Sequence, residues 1–214
     1  MGYHCSSYTV STSAIAMDKA LRYFCTEQNG AMYDHVWFLE DDVLVPTNST
    51  LAGLDAKYGG EADILSRQYG IVTHMRTDWH WPQAILNGVP LPWANSMVCA
   101  IRLSRAMLGA VREHVESRGR LFFIEIMFLT LAIHRSLRIQ AIPEMRGLIY
   151  QYQWNSAGIQ PGHLYHPVKK IEDQIALRDQ VRALLSGEIQ HLPPIVDPNG
   201  EFPSYQCTVE PDLI

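Results

Sequence analysis

Residues 35–46 read His-Val-Trp-Phe-Leu-Glu-Asp-Asp-Val-Leu-Val-Pro: an apolar run rich in β-forming residues stops at three consecutive carboxylates, then resumes at once. Acidic side chains are depleted in strands, and burying one unpaired is costly. Three at a strand's end call for a positive partner or for open water. Hard divalent ions take oxygen ligands, and Mg²⁺ or Mn²⁺ commonly joins one or two carboxylates to substrate phosphates. The expectation is a metal–diphosphate site at the carboxyl end of a sheet strand, where open α/β sheets bind ligands. The bland alternative is a solvated acidic turn.

Composition limits what can surround that motif. The chain has 214 residues, 47% hydrophobic and 18% charged, which suits one substantial globular domain and argues against disorder. A formal net charge of −5, with no long Lys/Arg run, leaves no electrostatic footprint for nucleic acid. The longest apolar stretch, 121–133, is interrupted by Glu125 and is shorter than the roughly 20 residues a transmembrane helix needs. No signal peptide is visible, so the compartment (Golgi lumen or cytoplasm) stays open. The four cysteines are scattered without a CxxC pair, which excludes a cysteine zinc site.

Helical and strand patterns alternate along the chain. Ser13 can cap a helix running to about Cys25, and 36–39 read as a buried strand. Thr47 or Asn48 can cap a short helix carrying Leu51, Leu54 and Tyr58, stopped by Gly59-Gly60. Residues 62–66 and 97–103 read as strands, and Ser104 caps a helix to about Arg118. Between them, 70–95 reads as a long irregular loop holding Trp79, His80, Trp81 and Trp93; structureless loops of that length are usually functional. Strands at 138–142 and 148–152 and a helix at 171–185 follow. The expected organisation is one α/β domain over 1–192, with a mixed sheet, and a Pro-rich tail over 193–214.

Two further features carry chemistry. Glu125 sits inside Phe-Phe-Ile-Glu-Ile-Met-Phe-Leu, where an ionised carboxylate pays a desolvation cost and its pKa rises. At a helix's first turn or facing a polar cleft it can serve as a general base; equally, it can pair with Arg102, Arg120 or His134 for structural reasons. Gly162-His-Leu-Tyr-His-Pro-Val-Lys-Lys170 holds His166 in extended backbone before proline. Such a segment can present an imidazole to a metal and lysines to an anion, or it can be a surface loop leading into a helix.

Taken together, these motifs resemble the GT-A class of nucleotide-sugar-dependent glycosyltransferases. Phe38-Leu-Glu-Asp-Asp-Val43 is similar to the Glu-Asp-Asp metal motif of some N-acetylglucosaminyltransferases. Met17-Asp-Lys-Ala-Leu-Arg-Tyr-Phe24 resembles the helix leading into that strand, and 123–132 resembles the segment placing a catalytic acid at a helix start. His166 matches the late histidine that completes the metal site. The likeness spans about residues 15–170. Only about forty residues precede Asp42, so the likeness implies a GT-A-like, Rossmann-related sheet that either lacks its first nucleoside-binding strands or rebuilds the nucleoside pocket differently.

The resemblance implies a UDP-sugar or other nucleoside-diphosphate donor, a glycan or other hydroxyl acceptor, and Mn²⁺ or Mg²⁺ held by Asp42 with Glu40, Asp41 and His166. Lys169, Lys19 and Asp18 would serve the donor, and Glu125 would act as base in an inverting transfer. Trp79, His80, Trp81 and Trp93 are candidates for an acceptor platform, since indoles give large rigid contact area with a polar handle; ordinary core packing is the alternative for each tryptophan. The rival functions are a non-catalytic carbohydrate-binding or structural remnant and a metal-dependent phosphohydrolase.

Overall fold

The structure, a computed structural model, describes residues 12–25, 32–154 and 158–188. The tail expected over 193–214 lies outside the described residues. Eight strands fall within the described residues: β1 (His35–Leu39), β2 (Ile64–Ser66), β3 (Gly70–Val72), β4 (Trp93–Asn95), β5 (Ala100–Ser104), β6 (Ile139–Ala141), β7 (Gly147–Leu148) and β8 (Tyr165–His166). The helices are α1 (Thr12–Cys25), α2 (Thr50–Tyr58), α3 (Pro82–Leu86), α4 (Arg105–Arg118), α5 (Ile124–His134) and α6 (Ile171–Ser186). No helix among the described residues is long and apolar enough to cross a membrane.

The central sheet runs β1-β5-β2-β6. β5 is antiparallel to both β1 and β2, and β2 is parallel to β6, so β1, β2 and β6 point the same way. Their carboxyl ends therefore share one edge, together with the start of β5. Side chains alternate between two apolar layers, as strand geometry requires. Phe38, Ile64, Ile101 and Leu103 face a core shared with α1, α4 and α5. Leu65 and Ala100 face a smaller core with Leu54, Ile142 and Leu148. The fold is a mixed sheet flanked by helices, as expected.

Local signals explain most element ends. The Ser104 hydroxyl accepts from the Met107 N–H at 3.1 Å, and α4 stops at Gly119 with φ 77. α5 is hydrophobic nearly all round and is correspondingly buried. α2 begins after Ser49 rather than Thr47 or Asn48, because the Thr50 hydroxyl takes the Thr47 N–H and itself donates to the Pro161 carbonyl. α2 is fixed to the sheet by the buried Arg102, whose guanidinium reaches Asp55 at 2.9 Å and the Gly59 carbonyl at 2.8 Å. The Trp37 indole N–H donates to the same carboxylate.

The expected irregular loop over 70–95 is instead ordered. β3 and β4 pair antiparallel from Gly70↔Asn95 to Val72↔Trp93, and α3 lies between them with Pro82 at its start. Three-residue strands and a five-residue helix are too short to carry a hydrophobic period. The strand expected over 148–152 shortens to β7, which pairs with β8.

That last pairing positions His166. A Cβ added to Gly147 would meet the Leu164 carbonyl oxygen at 2.6 Å and the Tyr165 ring at 2.7 Å. A backbone neighbour cannot give way without parting β7 from β8. Gly147→Ala should therefore destabilise by about 2 kcal/mol, the usual cost of overpacking. Urea unfolding measures this, and an unchanged midpoint would mean that β7 does not hold β8.

Candidate metal centre and adjoining cleft

Glu40 follows β1 directly, and its N–H donates to the Cys99 carbonyl at 2.8 Å, one residue before β5. The chain turns there, with the Val43 N–H returning to the Glu40 carbonyl at 3.1 Å. The acidic turn is then joined to the late histidine segment by main-chain bonds. Leu44 and Tyr165 exchange N–H···O bonds at 2.8 and 3.3 Å, and the Val168 N–H donates to the Asp42 carbonyl at 2.7 Å. As a result one carboxylate oxygen each from Glu40 and Asp42 and one His166 nitrogen lie within 4.8 Å of one another. The extended backbone expected at His166 is strand β8.

The protonation pattern of this trio is informative. The His166 Nδ1–H donates to the Ile149 carbonyl at 2.6 Å, which turns Nε2 toward the acids, 3.2 Å from Asp42 Oδ1 and 3.6 Å from Glu40 Oε2. A neutral ring so arranged aims a lone pair at two anionic oxygens. Only a proton or a cation between them relieves that. Burial opposes the charged ring, yet Glu40, the Ile149 carbonyl and Asp42 outweigh it and hold the His166 pKa above its ordinary value. The Asp42 Oδ1 is buried, and the imidazole approaches it without hydrogen-bond geometry, so that oxygen is left without a partner. Two carboxylates and an imidazole with an unsatisfied buried oxygen suit Mn²⁺, or Mg²⁺ with retained waters.

Asp41 does not join them. It is exposed, and what it gives the structure is its carbonyl, which accepts from the Gln174 side chain at 3.0 Å. Asp41 and Asp42 are the two central residues of the Glu40–Val43 turn, and of the two only Asp42 offers its carboxylate to Glu40 and His166.

Glu125 lies in the first turn of α5, where free N–H groups favour a carboxylate. Burial pushes its pKa up to about 7; the Glu40 charge adds to the rise and His166 opposes it. The three structural partners considered for it are engaged elsewhere. Arg102 pairs with Asp55, Arg120 reaches Asn87 and the Leu86 carbonyl, and His134 meets the Pro92 carbonyl. Glu125 also lines a cleft of about 400 Å³, so it is the residue common to the cleft and the field of the trio.

The aromatic segment divides between cleft and core. Trp79 and His80 line the cleft, with His80 stacked on Phe123 at 3.9 Å. Trp81 and Trp93 do not: they are buried, stacked on each other at 5.8 Å, and the Trp93 N–H donates to the Val89 carbonyl. Their large apolar rings serve the core instead of an acceptor. Sequence reasoning missed Gln68, Asn95 and Tyr150 in the cleft wall. Gln68 lies just beyond the carboxyl end of β2, and the strand-end rule that selected Glu40 also marks that position.

The expected donor residues are less gathered. Lys169 is exposed and follows Val168, whose N–H holds the Asp42 carbonyl. Lys19 is exposed on α1, and no described contact joins it to the trio. The side chain of Asp18 lies outside the described residues.

The Glu125 titration tests this arrangement directly. In Glu40→Gln its midpoint, followed by the carboxyl carbon NMR signal, should fall below 7 yet stay above the usual carboxylate range, because burial is the larger cause. The folded state binds this proton more tightly than the unfolded chain. Its stabilising share is thus complete below the ordinary carboxylate pKa and lost as pH rises through about 7. Glu125→Gln should gain on wild type by on the order of 3 kcal/mol between pH 4 and 8. A pH-independent difference would deny the buried carboxyl.

No protein-family model matches the chain, and no curated protein matches it in sequence. The reading of the site rests on its own chemistry.

Proposed function

We propose that the chain is a GT-A-type glycosyltransferase that moves a sugar from a nucleoside-diphosphate donor, UDP-sugar favoured, to an acceptor hydroxyl with inversion. One observation carries the reading: a mostly buried carboxyl poised at about 7 lies at a cleft, within the field of two carboxylates and an imidazole set for a divalent ion. The mixed α/β sheet, with the acids at the shared carboxyl edge of its parallel strands, agrees with the sequence resemblance.

In this proposal Glu40, Asp42 and His166 hold Mn²⁺ or Mg²⁺. A divalent ion there supplies positive charge to the diphosphate as it departs. Lys169, at the edge of the acidic turn, adds an ammonium toward the same phosphates. Lys19 and Asp18 enter the proposal only through the resemblance. Glu125 takes the acceptor proton as the acceptor oxygen bonds to the anomeric carbon and the bond from that carbon to the diphosphate breaks. A general base works best when its pKa lies near the working pH, and added positive charge at the trio draws Glu125 further toward its ionised form.

Calorimetry with Mn²⁺ alone, then with UDP-sugars, tests the reading. Wild type should bind donor only with the metal. Asp42→Ala should lose both the Mn²⁺ heat and donor binding while its circular dichroism is unchanged. Glu125→Gln should retain donor affinity and lose transfer by about 10²–10⁴-fold. Donor affinity unaltered by Asp42→Ala would reject the assignment. Cleavage of simple phosphate esters would favour a phosphohydrolase, and glycan binding without nucleotide affinity would favour a carbohydrate-binding protein.

A further inference from the structure

The lining of the cleft beside Glu125 is chemically mixed, with Arg67 and Ser96 among its polar members. Trp79, the His80–Phe123 stack and Tyr150 supply aromatic surface, while Gln68 and Asn95 supply carboxamides. Trp79 is 48% exposed despite its size, and Tyr150 is 61% exposed. Trp79 also adopts φ 48, a conformation that bulky residues rarely enter. Such strain persists where neighbours over-determine it, and it clusters at ligand sites. The neighbours here are rings: His80 at 5.3 Å, Trp81 at 5.5 Å and Phe123 at 5.3 Å. Trp81 is in turn stacked on the buried Trp93, so the indole is tied to the core yet open to the cleft.

We propose that this cleft binds a pyranoside, its C–H face laid on Trp79 and Tyr150 and its hydroxyls met by the Gln68 and Asn95 carboxamides. A lipid chain would cover both amides and leave them unpaired, which is costly. An isolated serine or threonine hydroxyl would leave the aromatic surface uncovered. A cyclic sugar satisfies both kinds of group, with one of its hydroxyls toward Glu125. Only the role of this sugar as acceptor rests on the transferase reading; the binding itself does not.

Saturation-transfer NMR on the full chain with methyl β-glycosides of glucose, galactose and N-acetylglucosamine, without metal or nucleotide, tests the inference. Ring protons of one sugar face should receive the strongest transfer from at least one of these glycosides. Trp79→Gly, which suits the positive φ, should weaken that binding about tenfold. If that variant does not fold, Gln68→Ala and Asn95→Ala, which remove the carboxamides, carry the same test. Absence of glycoside binding while Mn²⁺-dependent UDP-sugar binding persists would overturn the acceptor class and leave the transferase standing. Equal binding of open-chain sorbitol, or affinity indifferent to all three substitutions, would also overturn it. Glycoside binding in a protein that ignores UDP-sugars would sustain this inference and remove the transferase reading.

Discussion

Two main-chain seams, Leu44 with Tyr165 and Val168 with Asp42, hold the acidic turn against a segment more than a hundred residues further along the chain. Every property of the candidate centre depends on them. Without that pairing the acids would be a solvated turn and His166 a surface residue. Backbone bonds suit the task because they set position to a few tenths of an ångström and do not rely on the charges they assemble. The close approach of Glu40 and Asp42 is therefore sustained by the fold rather than relieved by local rearrangement.

Charge accumulation has a visible cost. The Asp42 oxygen is buried without a partner, Glu125 is driven toward neutrality by burial, and His166 is pulled toward the cationic form to compensate. Cys99, wedged among the same acids, has its thiol pushed well up by burial and by their negative charge. Structural ion pairs in this protein look different: Arg102 spreads over a carboxylate and two carbonyls, and Lys57 and Tyr58 both bond Glu144. These pairs set each charge against an opposite charge, although the Arg102 Nε is left without a partner. At the carboxyl edge of the sheet two carboxylates are gathered within 4.8 Å of each other, with an imidazole as their neighbour.

What the sequence revealed depended on the range of the forces involved. Ser104, Gly119 and the apolar run before Glu40 announce their elements because caps, αL turns and strand burial are local. β3, α3 and β4 exist through pairing and packing, with Ala94 bonded through N–H and C=O to the Thr130 hydroxyl, and no window of sequence records that. The centre was half visible. Glu40, Asp42 and His166 stand out by chemistry, but the exclusion of Asp41 follows from a turn pinned by distant main-chain and Gln174 bonds. Trp79, Trp81 and Trp93 are alike as letters. Only the stack of two of them in the core separates scaffold from open surface.

The helix α6 has a role that its amphipathic pattern conceals. Gln174 donates its carboxamide to the carbonyls of Asp41 and Val168 at 3.0 and 2.9 Å, and Arg178 reaches the Val45 carbonyl at 3.0 Å. It therefore acts as a splint along the back of the acidic turn, contributing no ligand while fixing both seams at once. A truncated fragment ending at Lys170 would keep Glu40, Asp42, His166 and Glu125 in its sequence yet lose the splint that keeps the first three aligned. Possession of the ligands and possession of the site are separate properties of this chain.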